Sequence, residues 1–139
     1  MKIVLISCVK EKRPYKSKAK NLYISTLFRL NLRYAKSLNP DKIFILSAKH
    51  ELVDLEEELE PYDLSLSMLS IKERETWANN VIKKLGEKSD LKKDEFIFLA
   101  GLKYRKDLLP YISNYKIPLE GLGFGKQLKY LKEKTENEQ

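Results

Sequence analysis

The chain has 139 residues with one cysteine and one histidine. These counts exclude an internal disulfide and the usual tetrahedral zinc sites built from Cys and His. Hydrophobic residues make up 42%, enough for one core, but no stretch nears the roughly 20 apolar residues of a membrane span. The net charge of +7 is uneven: residues 1–38 hold ten Lys and Arg against Glu11 alone, whereas residues 39–63 hold eight acids against Lys42 and Lys49.

The apolar start Met1–Ile6 is too short for a secretory segment, and Lys10 to Arg13 follow at once, so a cytoplasmic protein is expected. Lys2–Ser7 is the first predicted strand. It is a continuous Ile/Val/Leu run, the pattern of a parallel strand covered on both faces. Leu22–Leu38 follows as a helix with Tyr23, Leu27, Leu30 and Tyr34 on one stripe and Asn39-Pro40 as its stop. Lys42–Ser47 repeats the buried-strand pattern. The acidic segment Asp54–Asp63 reads as a loop or short exposed helix leading to Pro61.

Ser70–Leu85 is a helix opened by a Ser70-x-x-Glu73 capping box, with Gly86 at its C′ position. Glu95–Ala100 is the third strand. Tyr104–Tyr111 is a short helix limited by Pro110, Lys116–Leu119 is a fourth, short strand, and Phe124–Lys132 is the last helix. This alternation predicts an α/β fold: one three-layer, Rossmann-like domain over residues 1–132 with a mostly parallel central sheet, then a polar tail over 133–139.

In such sheets ligands bind beyond the carboxyl ends of the strands. That rule selects Ser7, Cys8, Lys10, Lys12 and Arg13 after the first strand. It selects Ser47, Lys49 and His50 after the second, and Gly101, Tyr104 and Arg105 after the third. The loop Gly121-x-Gly123-x-Gly125 opens the last helix and could present backbone N–H groups, notably near Gly123, to an anion. It is neither a Walker loop nor the dinucleotide fingerprint, so no cofactor is expected.

Most of these groups are donors and cations, suited to a nucleotide or nucleic acid as partner. His50 is the one side chain whose ordinary pKa lies near neutrality, and it directly follows a strand. Cys8 fits a small core residue better than a nucleophile. In Pro61-Tyr62-Asp63, Asp63 could orient a histidine, activate water or cap a helix over Leu64–Leu69, and Tyr62 could stack on a ring or donate from its hydroxyl. The clustered acids of 56–60 read as solvated surface, and no metal is expected.

Five blocks together resemble a known family. They are Ser7-Cys8-x-Lys10-x-Lys12, Leu22-Tyr23-x-Ser25-x-Leu27-Phe28, Leu46-Ser47-Ala48-Lys49-His50-x-Leu52-Val53, Pro61-Tyr62-Asp63-Leu64 and Leu99-Ala100-Gly101-x-x-Tyr104. They are similar to a microbial and phage-associated domain family of unknown function, whose members commonly have Gly where Glu51 stands. The resemblance implies an architecture like that of uracil-DNA-glycosylase-like α/β domains. In such glycosylases a polar residue after the first strand positions water and a histidine polarises the leaving base.

Carried to matching positions, the first role falls to Ser7, Cys8 or Lys10 and the second to His50. The expected function is processing of a nucleotide or nucleic-acid base, by N-glycosidic cleavage or base exchange. His50 would steady the departing base and Asp63 would position water or balance the developing positive charge on the sugar. Lys10, Lys12, Arg13 and Lys49 would hold phosphates, and Tyr23 or Tyr62 would stack on the base. The alternative is a non-catalytic module that binds nucleic acid or nucleotide through the basic block of residues 10–36.

Overall fold

The computed structural model describes residues 1–136. The elements run β1 (Lys2–Ser7), β2 (Ser17–Lys18), α1 (Ala19–Leu22), α2 (Thr26–Ser37), β3 (Lys42–Ser47), β4 (Glu51–Asp54), β5 (Glu58–Leu59), α3 (Ile71–Lys88), β6 (Glu95–Leu99), α4 (Leu102–Arg105), β7 (Tyr115–Lys116) and α5 (Phe124–Thr135). Short 3₁₀ turns occupy Leu66–Met68 and Leu109–Tyr111.

The fold is mixed α/β around a five-stranded sheet of order β4-β3-β1-β6-β7. β3, β1, β6 and β7 are parallel, and β4 alone runs antiparallel, against β3. β1 is central. Its side chains alternate between faces, and Ile3, Val4, Leu5 and Ile6 are all fully buried, so both faces of the sheet are covered there. α2 packs on β1 and on α5, where the Tyr34 and Tyr130 rings meet edge to face. α3 packs on β4, and its Trp77 indole donates to the Ser47 carbonyl at 2.8 Å.

Local chemistry explains where the elements depart from the predicted ones. The helix expected over 22–38 begins only at Thr26, because the Ser25 hydroxyl accepts from the Phe28 N–H and starts α2 there, while the short α1 ends at Leu22 and Tyr23 is extended. α2 stops as expected, with Asn39 in the left-handed region before Pro40. The capping box Ser70/Glu73 opens α3, but Gly86 lies inside that helix, which continues to Lys88.

The acidic segment is not helical. Leu52 and Val53 turn back on β3 as β4, and Glu58–Leu59 pairs with Ser17–Lys18 in a separate two-stranded ladder. The strand expected near 116–119 is β7, at Tyr115–Lys116. Of the tail expected over 133–139, residues 133–135 prolong α5, and residues 137–139 lie outside the described residues.

The turn into β4 carries strain. Glu51 sits at φ 66, a conformation that disfavours any residue with a Cβ. It is held by α3: its carboxylate accepts from Asn80 Nδ2 at 2.6 Å and pairs with Lys84 Nζ at 2.9 Å.

Candidate functional site at the carboxyl edge of the sheet

The parallel register aligns the ends of β1, β3 and β6. Ser7 lies opposite Leu46, and Ile6 opposite Leu99. The chain leaving β1 is anchored at once by Cys8 N–H donating to the Leu46 carbonyl at 3.0 Å. Farther on it is pinned to the α1–α2 junction, where Arg13 N–H donates to Leu22 O and Ile24 N–H donates to Glu11 O. These bonds hold Lys12 against Tyr23 and Tyr62, with its ammonium 4.4 Å from the centre of the Tyr62 ring.

Between this loop and residues 63–68 lies a cleft of about 480 Å³. Lys10, Lys12 and Asp63 supply its charge, while Leu64, Met68 and Tyr104 supply apolar wall. Burial lowers the pKa of the Lys12 ammonium, against the opposing pull of Cys8, Asp63 and Glu11. Among the described residues, neither Lys12 nor Asp63 is engaged in an ion pair within 4 Å. Lys12 Nζ donates to the Lys10 carbonyl at 3.2 Å, and neither charge is neutralised by an opposite one.

Tyr104 forms a shared wall. Its hydroxyl oxygen accepts from the Cys8 thiol at 3.4 Å and from Leu66 N–H at 3.5 Å, and its ring meets Trp77 edge to face. With both acceptor positions used, the hydroxyl proton is left to donate. On the other side of Cys8 and Tyr104 opens a second cleft of about 310 Å³, whose lining includes Ser7, Gly101, Arg105, Asn31 and Phe124. Arg105 is oriented there by its bond to the Ala100 carbonyl at 2.8 Å.

Behind the first cleft runs a chain of hydroxyls. Ser47 Oγ lies 2.7 Å from the Tyr62 hydroxyl, which lies 2.6 Å from that of Tyr23, and His50 N–H donates to Ser47 Oγ at 2.9 Å. Burial raises the pKa of Tyr23, Tyr62 and Tyr104 far above the ordinary phenol range, so all three hold their protons near neutrality. They act as neutral hydrogen-bonding groups, not as bases. Tyr23 is buried and serves as floor under Lys12, with no open ring face for stacking.

His50 stands one layer back. Its ring meets Tyr62 edge to face at 5.3 Å, and its Nε2 is buried without a hydrogen-bond partner. Burial, then the nearby Lys49 and Lys84 charges, lower its pKa, with Glu57 opposing. The imidazole is neutral at pH 7, and it does not line either cleft.

The residues singled out from the sequence therefore fall into groups. Cys8, Lys10, Lys12, Asp63 and Tyr104 meet in the first cleft, and Ser7, Gly101 and Arg105 in the second, with Cys8 and Tyr104 common to both. Tyr23, Tyr62 and Ser47 form the hydroxyl chain, to which the His50 backbone N–H donates at Ser47. Lys49 is exposed, and Arg13 lines a separate basic groove with Arg29, Arg33 and Lys36.

Gly123 is the N-cap of α5 but borders neither cleft, and of its loop only Gly121, at φ 79, needs to be glycine. Asp63 does not cap a helix, since the turn over Leu66–Met68 starts after Ser65. Among the described residues no group of three or more His, Cys, Asp and Glu side chains is placed to hold a metal ion, and no helix is long and apolar enough to cross a membrane.

Sequence reasoning missed Asn31. A signal for Asn31 was present: it is a polar residue spaced with Phe28, Tyr34 and Ala35 on the buried face of α2.

Residues 3–133 match the model of a family described as a family of unknown function, DUF6884. No curated protein and no solved structure matches the chain.

Proposed function

This chain belongs to the DUF6884 family, and from its site geometry we propose that it processes a nucleotide or nucleic-acid base by breaking or exchanging an N-glycosidic bond in the first cleft. One observation carries this reading: Asp63, Lys10, Lys12 and Tyr104 converge on one partly apolar cavity of about 480 Å³ at the carboxyl edge of the sheet. The reading takes the fold as three-layered and Rossmann-like, similar to uracil-DNA-glycosylase-like domains.

In this reading the sugar lies against Leu64 and Met68 with its C1′–N bond near Tyr104 and Lys12, and Lys10 neutralises a phosphate. The C1′–N bond breaks and its electron pair leaves with the base. The departing nitrogen takes a proton from the Lys12 ammonium, whose lowered pKa makes it the better acid. Water adds to C1′ and yields its proton to the Asp63 carboxylate, which also faces the positive charge developing on the sugar. Asp63 and Lys12 then exchange their proton through solvent, so one water is consumed and no net proton is taken up by the protein.

Steadying the departing base, the role the resemblance implies for His50, falls to Lys12, because Lys12 lines the cleft. The His50 imidazole supports the Tyr62 ring from behind, and its bond to Ser47 comes from its backbone N–H.

The test is base release from single-stranded DNA, RNA and free nucleosides. Asp63→Asn should lower release roughly a hundred-fold or more. Equal release by wild type and Asp63→Asn, or none by either, overturns the catalytic reading.

A specific observation favours the binding module as second reading. Arg13, Lys20, Arg29, Arg33 and Lys36 line one groove of about 320 Å³ with no acid in its lining, although Lys20 also pairs with Glu56. That reading predicts an affinity for nucleic acid that falls steeply with salt, and weakens on charge reversal at Arg29 and Arg33. A flat salt response sinks it.

A further inference from the structure

The second cleft contains an unpaired polar group. Asn31 projects from the middle of α2 and is only 5% exposed, yet its Oδ1 is buried without a hydrogen-bond partner. It lines the cleft of about 310 Å³ that shares Cys8 and Tyr104 with the first. A buried acceptor with nothing to accept from is destabilising, and folded chains keep few of them. An apolar residue would suit this stripe better, since Phe28 and Ala35 beside it are fully buried.

The walls around Asn31 suit a flat ring. Leu27, Ile117 and Leu119 supply apolar surface, and Arg105 is fixed at the edge by its bond to Ala100 O. Phe124 opens α5 between two glycines, lines the same cleft and is 65% exposed, which is unusual for so large an apolar side chain. A ring entering this cleft would cover Phe124, and a polar ring edge would give the Asn31 carboxamide the partner it lacks.

We propose that this second cleft is the nucleobase subsite, in which Asn31 reads a base edge carrying an N–H donor beside an acceptor and Phe124 stacks on the ring. A carboxamide offers an acceptor and a donor side by side, the complement of such an edge. The proposal rests on the nucleotide reading of the first cleft and deepens it. The phosphate and sugar occupy the first cleft, and the base crosses the Cys8–Tyr104 wall into the second.

The test uses the full chain, ¹⁵N-labelled, titrated with AMP, GMP, CMP and UMP, and with ribose 5-phosphate as the baseless control. At least one nucleotide should shift the Asn31 side-chain NH₂ signals together with the backbone amides of Lys12 and Asp63. Ribose 5-phosphate should shift only the latter two. Asn31→Leu should weaken the nucleotide at least ten-fold and leave ribose 5-phosphate unchanged. Phe124→Ala, at an exposed position, should weaken the nucleotide as well.

Shifts at Lys12 and Asp63 without any at Asn31 overturn the subsite and leave the first-cleft reading standing. No shift anywhere overturns both. Shifts at Asn31 with full activity in Asp63→Asn keep the subsite and sink only the catalytic assignment.

Discussion

The Cys8 thiol donates to the Tyr104 hydroxyl across 3.4 Å, and these two side chains are the wall between two clefts at the carboxyl edge of the sheet. The pair joins the end of β1 to α4, which follows β6, residues 96 positions apart in the chain. Tyr104→Phe keeps the ring on Trp77 but leaves the Leu66 N–H and the thiol without their acceptor. We expect a loss of about 0.5–1.5 kcal/mol in urea unfolding, with weaker nucleotide binding. Unchanged binding would show that the hydroxyl faces no ligand.

His50 gives a clean pH experiment because it is the one histidine of the chain. Burial holds its folded pKa below the ordinary value of about 6.5. The unfolded chain therefore takes up a proton before the folded chain does, as pH falls through about 6.5. This stability contribution is complete above that pH and is lost between it and the lower folded pKa. The ring proton signals in NMR should titrate below 6.5, and His50→Gln should remove that part of the stability–pH curve. A midpoint at or above 6.5 would contradict the buried neutral imidazole.

Glu51 separates backbone strain from side-chain contact. It occupies φ 66 and is tied to Asn80 and Lys84. Glu51→Ala and Glu51→Gly both lose the ties, but only Gly is at ease at that angle. Gly should be the more stable of the two by about 1 kcal/mol in chemical denaturation. Equal stabilities would mean that the turn relaxes away from the left-handed region.

Gly86 lies within α3 on the exposed side, and a Cβ there would meet Leu91 Cδ1 at 3.6 Å, an ordinary contact. Gly86→Ala should therefore stabilise the protein by about 0.5–1 kcal/mol, read as a raised thermal midpoint. A destabilised variant would indicate that α3 ends at Gly86 in solution.

The parallel strands were legible because burial on both faces demands continuous apolar runs, and three such runs stand out. The α3 start was legible because a capping box is a four-residue signal. β4 was not, since it offers only Leu52 and Val53 and turns through a glutamate where glycine is the usual signal. The break before α2 was missed for a related reason: Ser25 caps a helix inside a stretch whose apolar spacing already read as helical.

The site divides the same way. The strand-end rule placed Cys8, Lys10, Lys12, Ser47, His50 and Tyr104 on one edge, and that placement is a property of chain order in a parallel sheet. Which of them share a cavity is not. Tyr62 reaches across to Ser47 and Tyr23 and puts His50 behind itself, and the turn over Leu66–Met68 brings Asp63 beside Lys12. Asn31 was counted with the helix and becomes a binding candidate only because its oxygen is buried and unpaired. By itself the sequence determined the central strands, the edge on which the strand-end residues gather, and the exclusion of an internal disulfide and of Cys/His zinc sites, because these follow from local patterns and counts. Only the tertiary structure decided which side chains face one another, because that depends on contacts between segments far apart in the chain.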